Sequence, residues 1–162
     1  MVFIFCLKVT TPNCTTAVAV MIAAPLPNIM SLLSMSITNL QGFVETLPPQ
    51  GPEPEEGWGI FSLDCEMYYS SEGLELGKVT VVNAEHRVVF DTCVRPERPI
   101  ADCITRVSGL TEALMKSRVT MGQVQNTLLG LFNSNTILVG HSLENDLKAL
   151  KVGWEILFCG CK

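Results

Sequence analysis

From Trp58 onward the chain alternates apolar runs with polar breaks, and the spacing of those runs predicts a definite series of elements. Ile60-Phe61-Ser62-Leu63-Asp64-Cys65 is mostly apolar, ends in acidic residues and predicts a buried strand. Lys78-Val79-Thr80-Val81-Val82 and Arg87-Val88-Val89-Phe90 are β-branched runs separated by Asn83-Ala84-Glu85-His86, which predicts a hairpin. Val124, Leu128, Leu129 and Phe132 recur at helical spacing, and Thr120 stands where an N-cap belongs, so a helix is expected to run to about Phe132. Thr136-Ile137-Leu138-Val139 predicts a short buried strand and Gly140-His141 a turn, after which Ser142 is expected to cap a second helix through Leu150. Three early strands followed by helix, strand and helix indicate an α/β fold.

The first 47 residues follow no such pattern. No charged residue lies between Val9 and Val44, yet the purest apolar run, Ala17–Ala24, is ended by Pro25 and Pro27. A membrane-spanning helix needs ~20 apolar residues, so this run is too short. Lys8 sits inside the early apolar stretch rather than ahead of it, which is not the order of a secretory signal. Residues 1–47 are therefore read as an apolar, poorly ordered leader, with neither membrane insertion nor secretion expected. Pro48–Gly57, rich in Pro, Gly and Glu, reads as an extended linker. The folded domain is placed at 58–151 and a divergent tail at 152–162.

Composition narrows the class of function. The chain has 162 residues, 48% of them hydrophobic and 17% charged, with a formal net charge of -5. That hydrophobic share excludes wholesale disorder, and the acidic balance argues against a freestanding basic nucleic-acid binder. Seven cysteines, an odd number, make no disulfide scaffold. Cys65, Cys93 and Cys103 read as reduced core thiols, and Cys159-Gly160-Cys161 lacks the spacing of a zinc site.

The sharpest local feature is Asp64-Cys65-Glu66. Residues i and i+2 of a strand share one face, ~6–7 Å apart, and two carboxylates there resist joint ionisation unless a cation lies between them. A hard divalent ion with oxygen ligands, Mg²⁺ or Mn²⁺, is the natural partner, although acidic residues are also common where strands emerge into solvent. Asp146, one turn into the second helix, changes the balance. If the Thr136–Val139 strand lies parallel to the Ile60–Cys65 strand, Asp64, Glu66 and Asp146 converge at one sheet edge, where paired metals can hydrolyse phosphodiesters. Glu144 on the same helix is expected to point elsewhere, into solvent.

These residues carry a family resemblance. Ser62-Leu63-Asp64-Cys65-Glu66-Met67, Gly73-Leu74-Glu75-Leu76 and Val79-Thr80-Val81-Val82 resemble the first motif of DEDD-type 3'→5' exonucleases, in the RNA exonuclease 1 homologue group. Thr105-Arg106 with Ser108-Gly109-Leu110-Thr111 resembles that group's substrate-side loop, with Cys103 replacing the group's usual Tyr. Gly140-His141-Ser142-Leu143 with Asp146-Leu147 and Ala149-Leu150 resembles its second motif. The resemblance implies a ribonuclease H-like mixed sheet flanked by helices, two Mg²⁺ or Mn²⁺ ions, single-stranded RNA 3' ends as substrate and a nuclear location, with a cytoplasmic one open. Carried over by residue, Asp64 would bridge both metals, Glu66 would hold the nucleophile-side metal and Asp146 the other. Met67, Ser108, Gly109 and His141 would lie near the substrate.

The family pattern continues with a later segment carrying a His and, five residues on, a fourth Asp. The residues after Lys151 contain no such pair. His86 and Asp91 have that spacing but belong to the predicted hairpin, so no general base is assigned. The domain is accordingly expected to lack its C-terminal part, a truncation before the third motif that leaves the Thr136–Val139 strand with an open edge. Two functions stand side by side: a metal-dependent RNA exonuclease domain, and an inactive fragment acting as a weak nucleic-acid or protein binding module.

Overall fold

The computed structural model describes residues 3–11, 14–22, 42–55 and 57–153. Residues 23–41, within the predicted leader, and 154–162, with the Cys159–Cys161 pair, lie outside the described residues. Strands β1 (Phe3–Thr11) and β2 (Cys14–Ile22) form an antiparallel hairpin with Phe3 opposite Ile22. The short strand β3 (Val44–Glu45) follows.

A five-stranded mixed sheet forms the centre of the fold. β4 (Ile60–Ser70) and β5 (Gly73–Asn83) make a long hairpin, and β6 (Val88–Cys93) adds to the far side of β5. The other edge of β4 is shared by two strands. Near its end β7 (Ile100–Asp102) pairs antiparallel with Tyr69 and Ser70, whereas β8 (Ile137–Val139) runs parallel to Ile60–Ser62 at its start. Between β7 and β8 come the single-turn helix α1 (Thr105–Ser108), a 3₁₀ turn at Leu114–Lys116 and helix α2 (Met121–Leu131). Helix α3 (Leu143–Leu150) and strand β9 (Val152–Gly153) complete the described chain, and β9 pairs parallel with β3.

The predicted hairpin, the α2 and α3 helices and the parallel placement of β8 all appear. β4 and β5 are longer than the apolar runs suggest. The two strands stay in register from Phe61–Asn83 to Ser70–Gly73, and only Gly77 has no partner where the register shifts between Glu66 and Met67. A Cβ at Gly77 would lie 2.3 Å from the Leu110 Cδ1 methyl and 3.3 Å from the Glu66 carbonyl oxygen, so a side chain at this bulge would have to displace the Leu110 methyl.

One face of the hairpin carries Leu63, Leu76, Val79 and Val81, which bury themselves against Val124 and Leu128 of α2 and Leu143, Leu147 and Leu150 of α3. α2 begins with a full capping box: Gln123 N donates to the Thr120 hydroxyl while Thr120 N donates to the Gln123 side chain. Residues 42–45 and 152–153, which the sequence reading assigns to leader and tail, pack on this core. Val152 is buried within it and Val44 lies against it.

Gln125 joins these segments. Its buried Nε2 donates to the carbonyls of Gly42 and Leu150, both at 3.0 Å, and of Lys151 at 3.3 Å. One amide thus ties α2 to the end of α3 and to the chain entering β3. Replacing Gln125 with Leu takes this donor from the Gly42 and Leu150 carbonyls, while Lys151 keeps the Val44 N–H, and is expected to cost about 1–3 kcal/mol in urea unfolding. Gln125→Glu should cost more, because it sets carboxylate oxygens against carbonyl oxygens.

Candidate active site

β8 accompanies β4 only as far as the Ser62–Val139 pair, where the Ser62 hydroxyl also donates to the Val139 carbonyl at 3.1 Å. The chain then turns away at Gly140. A Cβ there would stand 2.8 Å from the Leu63 carbonyl oxygen and 2.9 Å from Leu143, so glycine lets the turn lie directly on β4. Beyond this point no strand among the described residues pairs with this β4 edge until Tyr69, and the backbone N–H of Cys65 points into the gap. Asp146, on the first turns of α3, accepts that N–H on Oδ1 at 3.1 Å. The carboxylate takes the ladder position that β8 leaves empty.

Asp146 is buried and lies beside Asp64, which is half-buried. Burial, then the neighbouring Asp64 charge, raise the Asp146 carboxyl to about 7, although the Cys65 N–H favours its charged form. Burial also raises Asp64, and His141 offsets part of that rise. The Cys65 thiol is pushed well up by burial and by Asp146 and Asp64, which favours its protonated form. Two oxygen-donor side chains that resist ionising together, one of them buried, suit a hard cation.

The sequence-predicted residues are distributed as follows. Asp64 and Asp146 are brought together. Glu66 lies on the same face of β4 as Asp64 by strand alternation, opposite Lys78 in the ladder. Among the described residues, however, no group of three or more His, Cys, Asp or Glu side chains stands placed to hold a metal ion. Met67 is half-buried immediately after Glu66. His141 is exposed but near enough to Asp64 to act on its charge. Ser108 is buried, donating to the Cys103 carbonyl at 2.7 Å and accepting from Leu110 N at 3.0 Å. Gly109 is exposed with φ 69, closing α1. Glu144 is exposed, as expected.

One expectation needs correcting. Ser142 does not cap α3 with its side chain: it adopts φ 53 and ψ 40, and the helix opens on a left-handed residue instead. A non-glycine residue in this conformation beside the site is held there by its surroundings. Sequence reasoning also missed the Cys65 N–H, because no side-chain pattern reports a vacancy in a backbone ladder.

The exonuclease family described as RNase_T matches residues 61–152, a stretch that holds Asp64, Glu66 and Asp146. The chain belongs to the exonuclease family. Among curated exonucleases, Exonuclease GOR of Pan troglodytes is 52% identical over 115 residues, covering 70% of this chain and 16% of that protein. RNA exonuclease 1 homolog of Homo sapiens is 51% identical over 114 residues, 70% of this chain and 9% of that protein. RNA exonuclease 1 of Saccharomyces cerevisiae is 43% identical over 98 residues, 59% of this chain and 18% of that protein. The chain thus spans less than a fifth of these exonucleases. Among solved structures, the catalytic unit of Neurospora crassa Pan2 superposes with a TM-score of 0.55 at 17% identity, covering 68% of this chain and 20% of that one. The fold is the ribonuclease H-like fold of these exonuclease domains.

In chelator, stability should fall as pH rises from about 4, the ordinary Asp value, towards about 7, because the folded state holds a proton on Asp146 that the unfolded state releases. Thermal melts across that window should show the decline, and Asp146→Asn should flatten it. Gly140→Ala should destabilise the fold by about 1–3 kcal/mol by pushing the turn off β4. Gly130→Ala, where a Cβ meets open space on α2, should instead stabilise it by up to about 1 kcal/mol.

Proposed function

We propose that this chain carries an RNA exonuclease site that works from the 3' end, with Asp64, Glu66 and Asp146 as ligands for two divalent cations, Mg²⁺ or Mn²⁺. The observation that carries this reading is the pairing of Asp64 with Asp146 at the open edge of β4, where Asp146 is fixed by the Cys65 N–H. The relatives named RNA exonuclease support RNA as the substrate, as does a Pan2 exonuclease module of Saccharomyces cerevisiae solved in complex with AAGGA RNA. A nuclear location belongs to the same proposal, as does a leader–linker–domain–tail organisation in which the domain also takes in residues 42–45 and 152–153.

Bound divalent cations would supply the positive charge that activates water and stabilises the leaving oxygen in phosphodiester hydrolysis. The chain's own residues do the rest. Asp64, central on β4, would bridge the two positions, Glu66 would serve the attacking side and Asp146 the leaving side. The Cys65 N–H keeps one Asp146 oxygen engaged and orients the other. Met67, Ser108, Gly109 and His141 would surround the terminal nucleotide, with the buried Ser108 acting through loop shape rather than a free hydroxyl. Neither histidine takes the role of general base in this reading: His86 sits in the β5–β6 turn and His141 next to the carboxylates.

A second reading, RNA binding without cleavage, is favoured by the lack of an assembled three-donor cation group among the described residues. One assay separates the two. With Mn²⁺ and 5'-labelled single-stranded RNA, the exonuclease reading expects stepwise shortening that Asp64→Ala abolishes. Equal, negligible shortening by both folded proteins, with RNA still retained in a filter assay, would establish the binding reading instead.

A further inference from the structure

A second polar cluster lies on the face of the sheet that carries the carboxylates. Tyr68 follows Glu66 by two residues on that face and stands opposite Glu75 in the ladder. Three side chains converge on the Glu75 carboxylate. The Tyr68 hydroxyl donates to Oε2 at 2.8 Å, while the Ser70 hydroxyl at 2.6 Å and the Arg98 guanidinium at 2.7 Å both donate to Oε1. Arg98 belongs to the segment that leads into β7, so this carboxylate joins the tip of the β4–β5 hairpin to the chain entering the α1 loop.

The connection continues through packing. Tyr68 is 1% exposed and forms a small core with Cys103, Leu110 and Met115. Cys103 and Leu110 are the two residues that Ser108 fastens together, its hydroxyl donating to the Cys103 carbonyl and accepting from Leu110 N. The loop is also held under strain. Ile104, a β-branched residue, adopts φ 50, a conformation that persists only where the surroundings impose it. The Glu75 cluster and the Tyr68 core are the surroundings the structure supplies on the sheet side.

We propose that Glu75 is a positioning residue: through Tyr68 and Arg98 it fixes residues 103–110 against the sheet face beside Glu66. The consequence for RNA rests on the exonuclease reading above, in which this loop meets the terminal nucleotide, but the positioning role does not.

Amide hydrogen exchange on the full chain tests that role directly. Glu75→Gln weakens the Arg98 and Tyr68 bonds in place, and Tyr68→Phe removes one hydroxyl while keeping the ring in the small core. Both are expected to speed exchange at 103–110 by about tenfold, as loss of a hydrogen bond to a charged group implies, with α2 amides at 121–131 unchanged. Unchanged exchange at 103–110, or equal acceleration in α2, overturns the proposal. In the Mn²⁺ assay both variants should raise KM for RNA by about tenfold with little change in kcat, and a fall in kcat at constant KM also overturns it. A wild-type chain that leaves RNA intact counts against the exonuclease reading alone, since the exchange comparison still decides the role of Glu75.

Discussion

β4 is paired along one edge by β5 through almost its whole length, but along the other by two short strands that never meet. The stretch between them contains a donor, the Cys65 N–H, that would cost about 1–3 kcal/mol if buried without a partner. Asp146 answers it with a carboxylate oxygen, and much of the site geometry follows from that bond. It requires α3 to begin close to β4, which requires the chain to leave β8 sharply, which in turn requires a glycine at 140. It also draws a carboxylate into a buried place beside Asp64, where its charge is costly.

The sheet divides its tasks between its two faces. Leu63, Val79 and Val81 turn towards α2 and α3 and make the main core, while Asp64, Glu66 and Tyr68 lie on the opposite face. Strand alternation alone achieves this separation, so the apolar and acidic residues of one strand need not compete for the same space. The bulge at Gly77 takes up the extra residue of β5 without reversing the faces of β4. Leu110 occupies the space where a side chain at Gly77 would stand, bringing the α1 loop down onto the hairpin.

Much of this order is legible in the sequence, for identifiable reasons. β-Branched runs, Thr120 at the head of a helical repeat and the glycine before α3 are local signals, and from these the hairpin, α2 and the position of Asp146 are legible. The parallel run of β8 beside β4 was posed as a condition and is met. What stayed hidden depends on contacts between distant segments. Gln125 looks like an ordinary helix-surface residue until Gly42 and Leu150 meet it. Glu75 and Arg98, 23 residues apart, look solvated until the β7 approach folds back. Ser142 has the composition of a cap but a backbone conformation that denies it the role.

The pairing of β3 with β9 carries a consequence for how the domain comes into being. Val44 and its partner Val152 lie about a hundred residues apart, yet they share a ladder and a core. During synthesis, at ~5–20 residues per second, β3 leaves the ribosome seconds before the strand it needs exists. The β4–β5–β6 meander can close from local contacts in that interval, whereas Gln125 must wait for Leu150 and Lys151 before its amide is satisfied. Assembly of the carboxylate pair therefore waits on that segment too, since Asp146 arrives with it.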